Sequence, residues 1–180
     1  MTTQTPFLSD VQELRRRARE NMMRGSVTSD YKGDLKQAVD ILNQALATEL
    51  VCVLRYKRHY YMSHGIYKDA VAQEFLQHAN EEQGHADQIA ERITQLGGEP
   101  DFNPEGLTSR SHSEYKAGGD MVDMIKENLV AERVAIESYR EMVRFFGDND
   151  PTTRRMLEGI LAVEEEHAND MVDLLEQHER

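Results

Sequence analysis

A single cysteine, Cys52, stands in 180 residues, so no intrachain disulfide and no cysteine-ligated zinc or iron site can be assembled. Proline is scarce at four residues, and a hydrophobic content of 39% is too high for a disordered chain. The longest unbroken apolar run, Leu50 to Leu54, is far short of a bilayer span, so no membrane association is expected. Cations are the minority: 21 Lys and Arg against 33 Asp and Glu give a net charge of −12. Such a surface repels nucleic acid and anionic lipid and attracts cations. The first nine residues are polar, without the charged-then-apolar layout of a secretory signal, and the expected compartment is the reducing cytoplasm. DNA-binding, membrane and secreted-scaffold classes therefore fit poorly.

Breakers divide what is present. Residues 1–34 read as a polar N-terminal extension with one short helix, capped by Ser9 and stopped at Gly25. Helical stretches follow at about 35–64 and 67–96, closed by Gly65 and by Gly97-Gly98. Residues 97–119 hold two of the four prolines and five of the eleven glycines, which predicts a connection. A third stretch opens at the capping candidate Asp120 and ends at Gly147. A fourth opens at Asp150-Pro151, a cap followed by proline at the first helical position.

Within each stretch apolar residues recur in steps of three and four. The second carries Val71, Phe75, His78, Glu82, His85, Ile89 and Ile93, and the fourth Leu157, Ile160, Glu164, His167, Met171 and Leu174. One apolar seam per helix, two short links and one long crossover predict an all-α four-helix bundle over residues 35–180.

The seams contain residues foreign to a core. Glu49 lies on the first, Glu82 and His85 on the second, Glu132 on the third, and Glu164 and His167 on the fourth. Four buried carboxylates without counter-charge would each cost several kcal/mol or take up a proton. Two divalent cations balance four carboxylates, and neutral imidazoles complete the coordination. Glu-x-x-His places both side chains on one helix face, within reach of one ion. One such match is expected by chance among 20 Glu and 7 His, but here the motif occurs twice, each time preceded by a lone Glu, 33 residues before Glu82 and 32 before Glu164. Two similar hairpins packed face to face bring six ligands to one level of the bundle. These six are the candidate metal-binding and catalytic residues.

Other residues leave alternatives open. His78, one turn before Glu82, is either a hydrogen-bonded core histidine or an aid to metal entry. Tyr56 and Tyr139 each follow a lone Glu by seven residues, and either bond the ligand carboxylates or simply pack. Cys52 reads as core, and Glu165 and Glu166 as solvated.

With those residues in place, the chain resembles the ferritin-like superfamily, nearest to bacterioferritin and the bacterioferritin-like branch of Dps-like proteins, over about residues 35–178. Beyond the ligands, the likeness includes Ala47-Thr48-Glu49-Leu50 and the run from Gly84-His85-Ala86-Asp87 to Gly97-Gly98-Glu99-Pro100. The resemblance implies that Glu82 and Glu164 bridge two irons while Glu49, His85, Glu132 and His167 are terminal ligands. It implies a ferroxidase that oxidises Fe(II) with O2 or H2O2 and stores ferric mineral in a hollow homo-oligomer, with two iron ions per subunit and manganese as the alternative metal. Haem is not expected, because Gln83 stands where bacterioferritin has its haem-ligating methionine. Thirteen residues follow His167, too few for the fifth helix of 24-subunit ferritins, so a 12-subunit cage is preferred over 24. Some Dps-like relatives carry a cysteine pair near the metals, whereas this chain has only Cys52. The competing reading is a di-metal peroxidase, manganese catalase or hydroxylase that stores no mineral.

The extension differs in charge: residues 1–35 carry a net +1 and the remainder −13. Its arginine-bearing helix is expected to clasp an acidic neighbouring subunit rather than DNA.

Overall fold

The structure, a computed structural model, describes residues 10–65 and 68–178. Among them it is all helical: α1 (Val11–Arg17), a 3-10 turn (Met22–Arg24), α2 (Leu35–Met62), α3 (Lys68–Gln95), α4 (Leu107–Arg110), α5 (Met121–Phe146) and α6 (Pro151–His178). Each long helix of 28 residues spans about 42 Å. The starts of α2, α5 and α6 are fixed by carboxylates that accept backbone N–H groups of the first turn. Asp34 accepts from Gln37 at 3.1 Å, Asp120 from Asp123 at 2.9 Å, and Asp150 from Thr153 at 2.9 Å, with Pro151 as the first helical residue. The cap expected at Ser9 lies outside the described residues. Asp10 caps α1 instead, accepting from Gln12 at 2.8 Å, and the helix stops at Arg17 rather than at Gly25.

Helix α2 packs along α3 and α5 along α6, the two hairpins meeting through α2 against α5 and α3 against α6. The crossover between α3 and α5 returns along α2. Asn43 bonds Glu99 and Asp101, Thr48 bonds His112, Arg55 donates to the Glu114 carbonyl, and His59 meets the carbonyls of Lys116 and Ala117. Close approach at both ends requires glycine. A Cβ on Gly98 would sit 2.6 Å from Val39 Cγ2, and one on Gly118 (φ +69) 2.5 Å from Met124 Cγ. The single turn of α4 interrupts the expected connection. Arg110 wraps it by donating to the carbonyls of Asn103 and Glu105 at 2.9 and 3.0 Å.

The extension is tied down beyond α1. Val27 enters the core, Ser26 donates to the Gln95 carbonyl, and Tyr31 donates to Asp150 at 3.1 Å. Asp150 also receives Arg92 at 3.0 Å, so one buried carboxylate joins α3, α6 and the extension. By composition α2 is apolar and long enough to cross a membrane, which a count of unbroken apolar runs does not reveal; 56% of its most apolar window is buried inside the bundle.

The core is in two parts. One cluster gathers Leu42, Leu46, Ile89, Ile93, Phe146 and Leu157; the other gathers Tyr56, Phe75, Ile125, Met171 and Leu174. Between them α2, α3, α5 and α6 each contribute to one charged layer.

Candidate metal centre

That layer consists of Glu49 from α2, Glu82 and His85 from α3, Glu132 from α5, and Glu164 and His167 from α6, all six buried. Helical spacing explains the convergence. Glu82 and His85, and Glu164 and His167, sit three apart on one face, and antiparallel packing sets the two hairpins' acid positions at one height. The donors form two groups, each with its atoms within 4.8 Å of one another. One holds Glu49, Glu82, His85 and Glu164, the other Glu82, Glu132, Glu164 and His167. Glu82 and Glu164 belong to both.

Both imidazoles turn Nδ1 inward. That of His85 lies 2.9, 3.2 and 3.3 Å from Glu164, Glu82 and Glu49, and that of His167 lies 3.7 Å from Glu82 and Glu164. Glu49 Oε2, Glu82 Oε1, Glu132 Oε2, both Glu164 oxygens and His167 Nδ1 are buried without a hydrogen-bond partner. Orphaned buried donors and acceptors are costly and rare in folded proteins. So many at one point fit a pair of cations in carboxylate and imidazole coordination.

Without cations the layer must hold protons. Burial, then the charge of Glu82, pushes Glu49 up to about 8. Burial, with Glu82 and Glu164 behind it, pushes Glu132 well above the carboxylate range. Burial and neighbouring carboxylates also push Glu82 and Glu164 upward, but the His85 and His167 rings facing them outweigh this and hold both below the usual value. Burial lowers the two histidines, and the carboxylates facing them more than reverse it, to about 12 for His85 and about 11 for His167. With a proton on each of the two raised carboxyls, two carboxylates face two imidazoliums and the charges of the layer sum to zero.

The surrounding hydrogen bonds orient the donors. Tyr56 donates to Glu132 Oε1, and Tyr139 donates to Glu49 Oε1, so of the two readings left open for these tyrosines the hydrogen-bonded one holds. His167 Nε2 lies 2.8 Å from Glu81 Oε2, a contact that sequence reasoning missed. A proton held there leaves Nδ1 bare toward the centre. Glu81 gives no periodic signal because it precedes Glu82 on the half-exposed flank of α3 and meets a residue 86 positions later. Cys52 is core, its Sγ 3.4 Å from Arg55 Nη2. Glu165 and Glu166 are exposed, and Gln83 donates to Asp87 at 3.0 Å.

The sequence profile of the ferritin-like domain matches residues 39–180. A bacterioferritin of Desulfovibrio desulfuricans is 29% identical over 133 residues, covering 73% of this chain and 70% of that protein. A nutrient stress-induced DNA-binding protein of Synechococcus is 29% identical over 137 residues, covering 73% and 77%. A dodecameric thioferritin, the bacterioferritin-related protein of Bacteroides fragilis, superposes with a TM-score of 0.80 at 35% identity, covering 83% of this chain and 90% of that one. Dps from Thermosynechococcus elongatus superposes at 0.75 over 78% and 90%, and at 19% identity that likeness speaks to the fold alone. With the profile spanning most of the chain and its four long helices, this protein belongs to the ferritin-like domain family, with bacterioferritin among its relatives.

Proposed function

We propose that the chain is a ferroxidase whose substrate is Fe(II), bound as a pair by Glu49, Glu82, His85, Glu132, Glu164 and His167. The observation that carries this reading is the sharing of Glu82 and Glu164 between two four-residue donor groups. Shared carboxylates bridge, and Glu49 with His85, and Glu132 with His167, close the two ends. Oxygen-rich coordination favours the higher charge of iron, so the carboxylates make bound Fe(II) a better electron donor. Two Fe(II) supply the two electrons that convert H2O2 and two protons into two waters, or O2 into peroxide. Tyr56 and Tyr139 hold the terminal carboxylates in place, and Glu81 holds the tautomer of His167.

The same reading extends to a cytoplasmic homo-oligomeric cage of 12 subunits that retains the ferric product. It draws on the dodecameric assembly of the Bacteroides fragilis protein and on apolar side chains such as Leu54, Tyr61, Val130 and Phe145 that a lone chain leaves exposed. Neither haem nor DNA is assigned a part. In α1, Arg16 is engaged by Glu13 and Glu20, and Arg17 by Asp30, within the chain itself.

Anaerobic titration with Fe(II) should load two ions per chain among these six residues, and H2O2 or O2 should then oxidise them in one fast phase. Excess Fe(II) should leave soluble ferric mineral that sediments with a shell of fixed size. A monomer or dimer that oxidises a small organic substrate and retains no iron would reject the storage reading in favour of a di-metal enzyme.

A further inference from the structure

One turn of α3 from the centre, a second group of donors is left over. Glu74 and His78 on α3 and Asp170 on α6 bring one ligand atom each to within 4.8 Å of the others. Acidic clusters on helices are common, and this one stands apart because of the imidazole. His78 is fully buried, and its Nε2 makes no hydrogen bond. Its Nδ1 lies 3.1 Å from the Tyr56 hydroxyl, whose own proton goes to Glu132. Tyr56 can therefore only accept from His78, which fixes the proton of the neutral ring on Nδ1. The bare Nε2 then faces Glu74 Oε1 at 3.3 Å and Asp170 Oδ2 at 3.4 Å. Three acceptors with no hydrogen between them repel one another unless a cation sits among them.

We propose that Glu74, His78 and Asp170 form a third divalent-cation site, suited to Fe(II) and its first-row neighbours, from which ions pass to the buried centre. The spacing fits. With metal–ligand bonds of about 2.1 Å, neighbouring donors stand about 3.0 Å apart in an octahedron and about 3.4 Å apart in a tetrahedron. One nitrogen and two carboxylate oxygens are a donor set that transition ions accept and that leaves positions open for water. Glu74 and Asp170 are about one-third exposed, so an ion from solvent meets them first and the imidazole next. Asp170 also lines a cleft of about 340 Å³ between α3 and α6, together with Glu166, Glu81, His85 and His167. The His78 ring stacks on that of His167 with centroids 3.9 Å apart, which brings the site against the centre. The staging role rests on the di-iron reading above; the cation site itself does not.

Zinc(II), which is redox-silent, is the probe. Crystals of the full chain soaked in Zn(II) and measured at the zinc absorption edge should show an anomalous peak about 2.0–2.2 Å from His78 Nε2 and from carboxylate oxygens of Glu74 and Asp170. Equilibrium dialysis should count close to three Zn(II) per chain, falling to two in Asp170→Asn and in Glu74→Gln. Both replacements are nearly isosteric at partly exposed positions, and unchanged circular dichroism and melting would show that they fold. A filled carboxylate centre with no density at His78, an ion held by Glu81 and His167 alone, or an unchanged count in both variants would overturn the proposal. Density at His78 with nothing among Glu49, Glu82, Glu132 and Glu164 would uphold this site while rejecting the di-iron centre.

Discussion

Tyr139 of α5 donates its hydroxyl to Glu49 of α2, and the relationship is mirrored: Tyr56, seven residues after Glu49, donates to Glu132, seven residues before Tyr139. Each hairpin thus supplies the tyrosine that orients the other hairpin's lone carboxylate, so neither donor set is finished until the two halves pack. The hydroxyls are fully buried, and each tyrosine is pushed well above its usual value by burial first and by the facing carboxylate next, which keeps the phenol a donor.

Tyr139→Phe and Tyr56→Phe are therefore expected to weaken metal binding at opposite ends of the centre. The loss of a hydrogen bond behind a ligand is commonly worth about 10–100-fold in affinity or activity. Isothermal titration of the metal-free protein should show one weakened and one unaffected site in each single variant. Equal weakening of both sites in either variant would contradict the assignment of one tyrosine per end.

Bridging and terminal carboxylates should separate in the same way. Glu82→Ala removes an acid shared by both donor groups and is expected to abolish tight binding of both ions and fast Fe(II) oxidation. Glu49→Ala removes an acid of one group only and should leave one of the two ions of the centre bound. Metal counts after dialysis against Zn(II) distinguish the two outcomes.

Helix periodicity made the bundle and the layer legible because both depend on spacing within single helices: Glu82 with His85, Glu164 with His167, Asp120 and Asp150 as starts. What stayed hidden is made between elements distant in sequence. Arg55, His59 and Asn128 read as ordinary helix polars, yet Asn128 receives Arg55 at 2.9 Å, donates to His59 Nδ1 at 3.0 Å, and so pins the crossover to α2 and α5. Glu81 was hidden likewise, because its partner His167 lies on another hairpin. For Tyr56 and Tyr139 spacing shows that they share a face with their Glu, and only the packing decides which carboxylate each one meets.

Proton release should accompany metal binding. In the cation-free layer Glu49, His85 and His167 hold protons at pH 7, since all three are raised above that pH, and burial pushes Glu132 in the same direction. Ligation requires every one of them to give up a proton at its metal-facing atom. Calorimetry in buffers of different ionisation enthalpy should find at least three protons released per pair of Zn(II), and affinity should rise with pH. Release of none would mean that the layer is already deprotonated and would remove the charge balance proposed for it.

Acid should loosen the crossover at His59, away from the centre. Asn128 gives its Oδ1 to Arg55 and turns its amide N–H toward His59 Nδ1, so that nitrogen has no room for a proton, while Nε2 donates to the carbonyls of Lys116 and Ala117. Burial first, and then the charge of Arg55, lowers His59 to about 4 from an ordinary 6.5. A group depressed in this way stabilises the fold fully above 6.5, and that contribution is lost as pH falls from 6.5 toward 4. At pH 5 the loss amounts to about 2 kcal/mol, at 1.36 kcal/mol per unit. His59→Gln keeps a donor for the carbonyls but cannot titrate. Urea unfolding of the metal-free protein at pH 7.5 and pH 5 should show the parent losing about 2 kcal/mol more than the variant over that interval. Equal losses would mean that His59 accepts its proton within the folded crossover, and that the Arg55–Asn128–His59 chain does not hold it neutral.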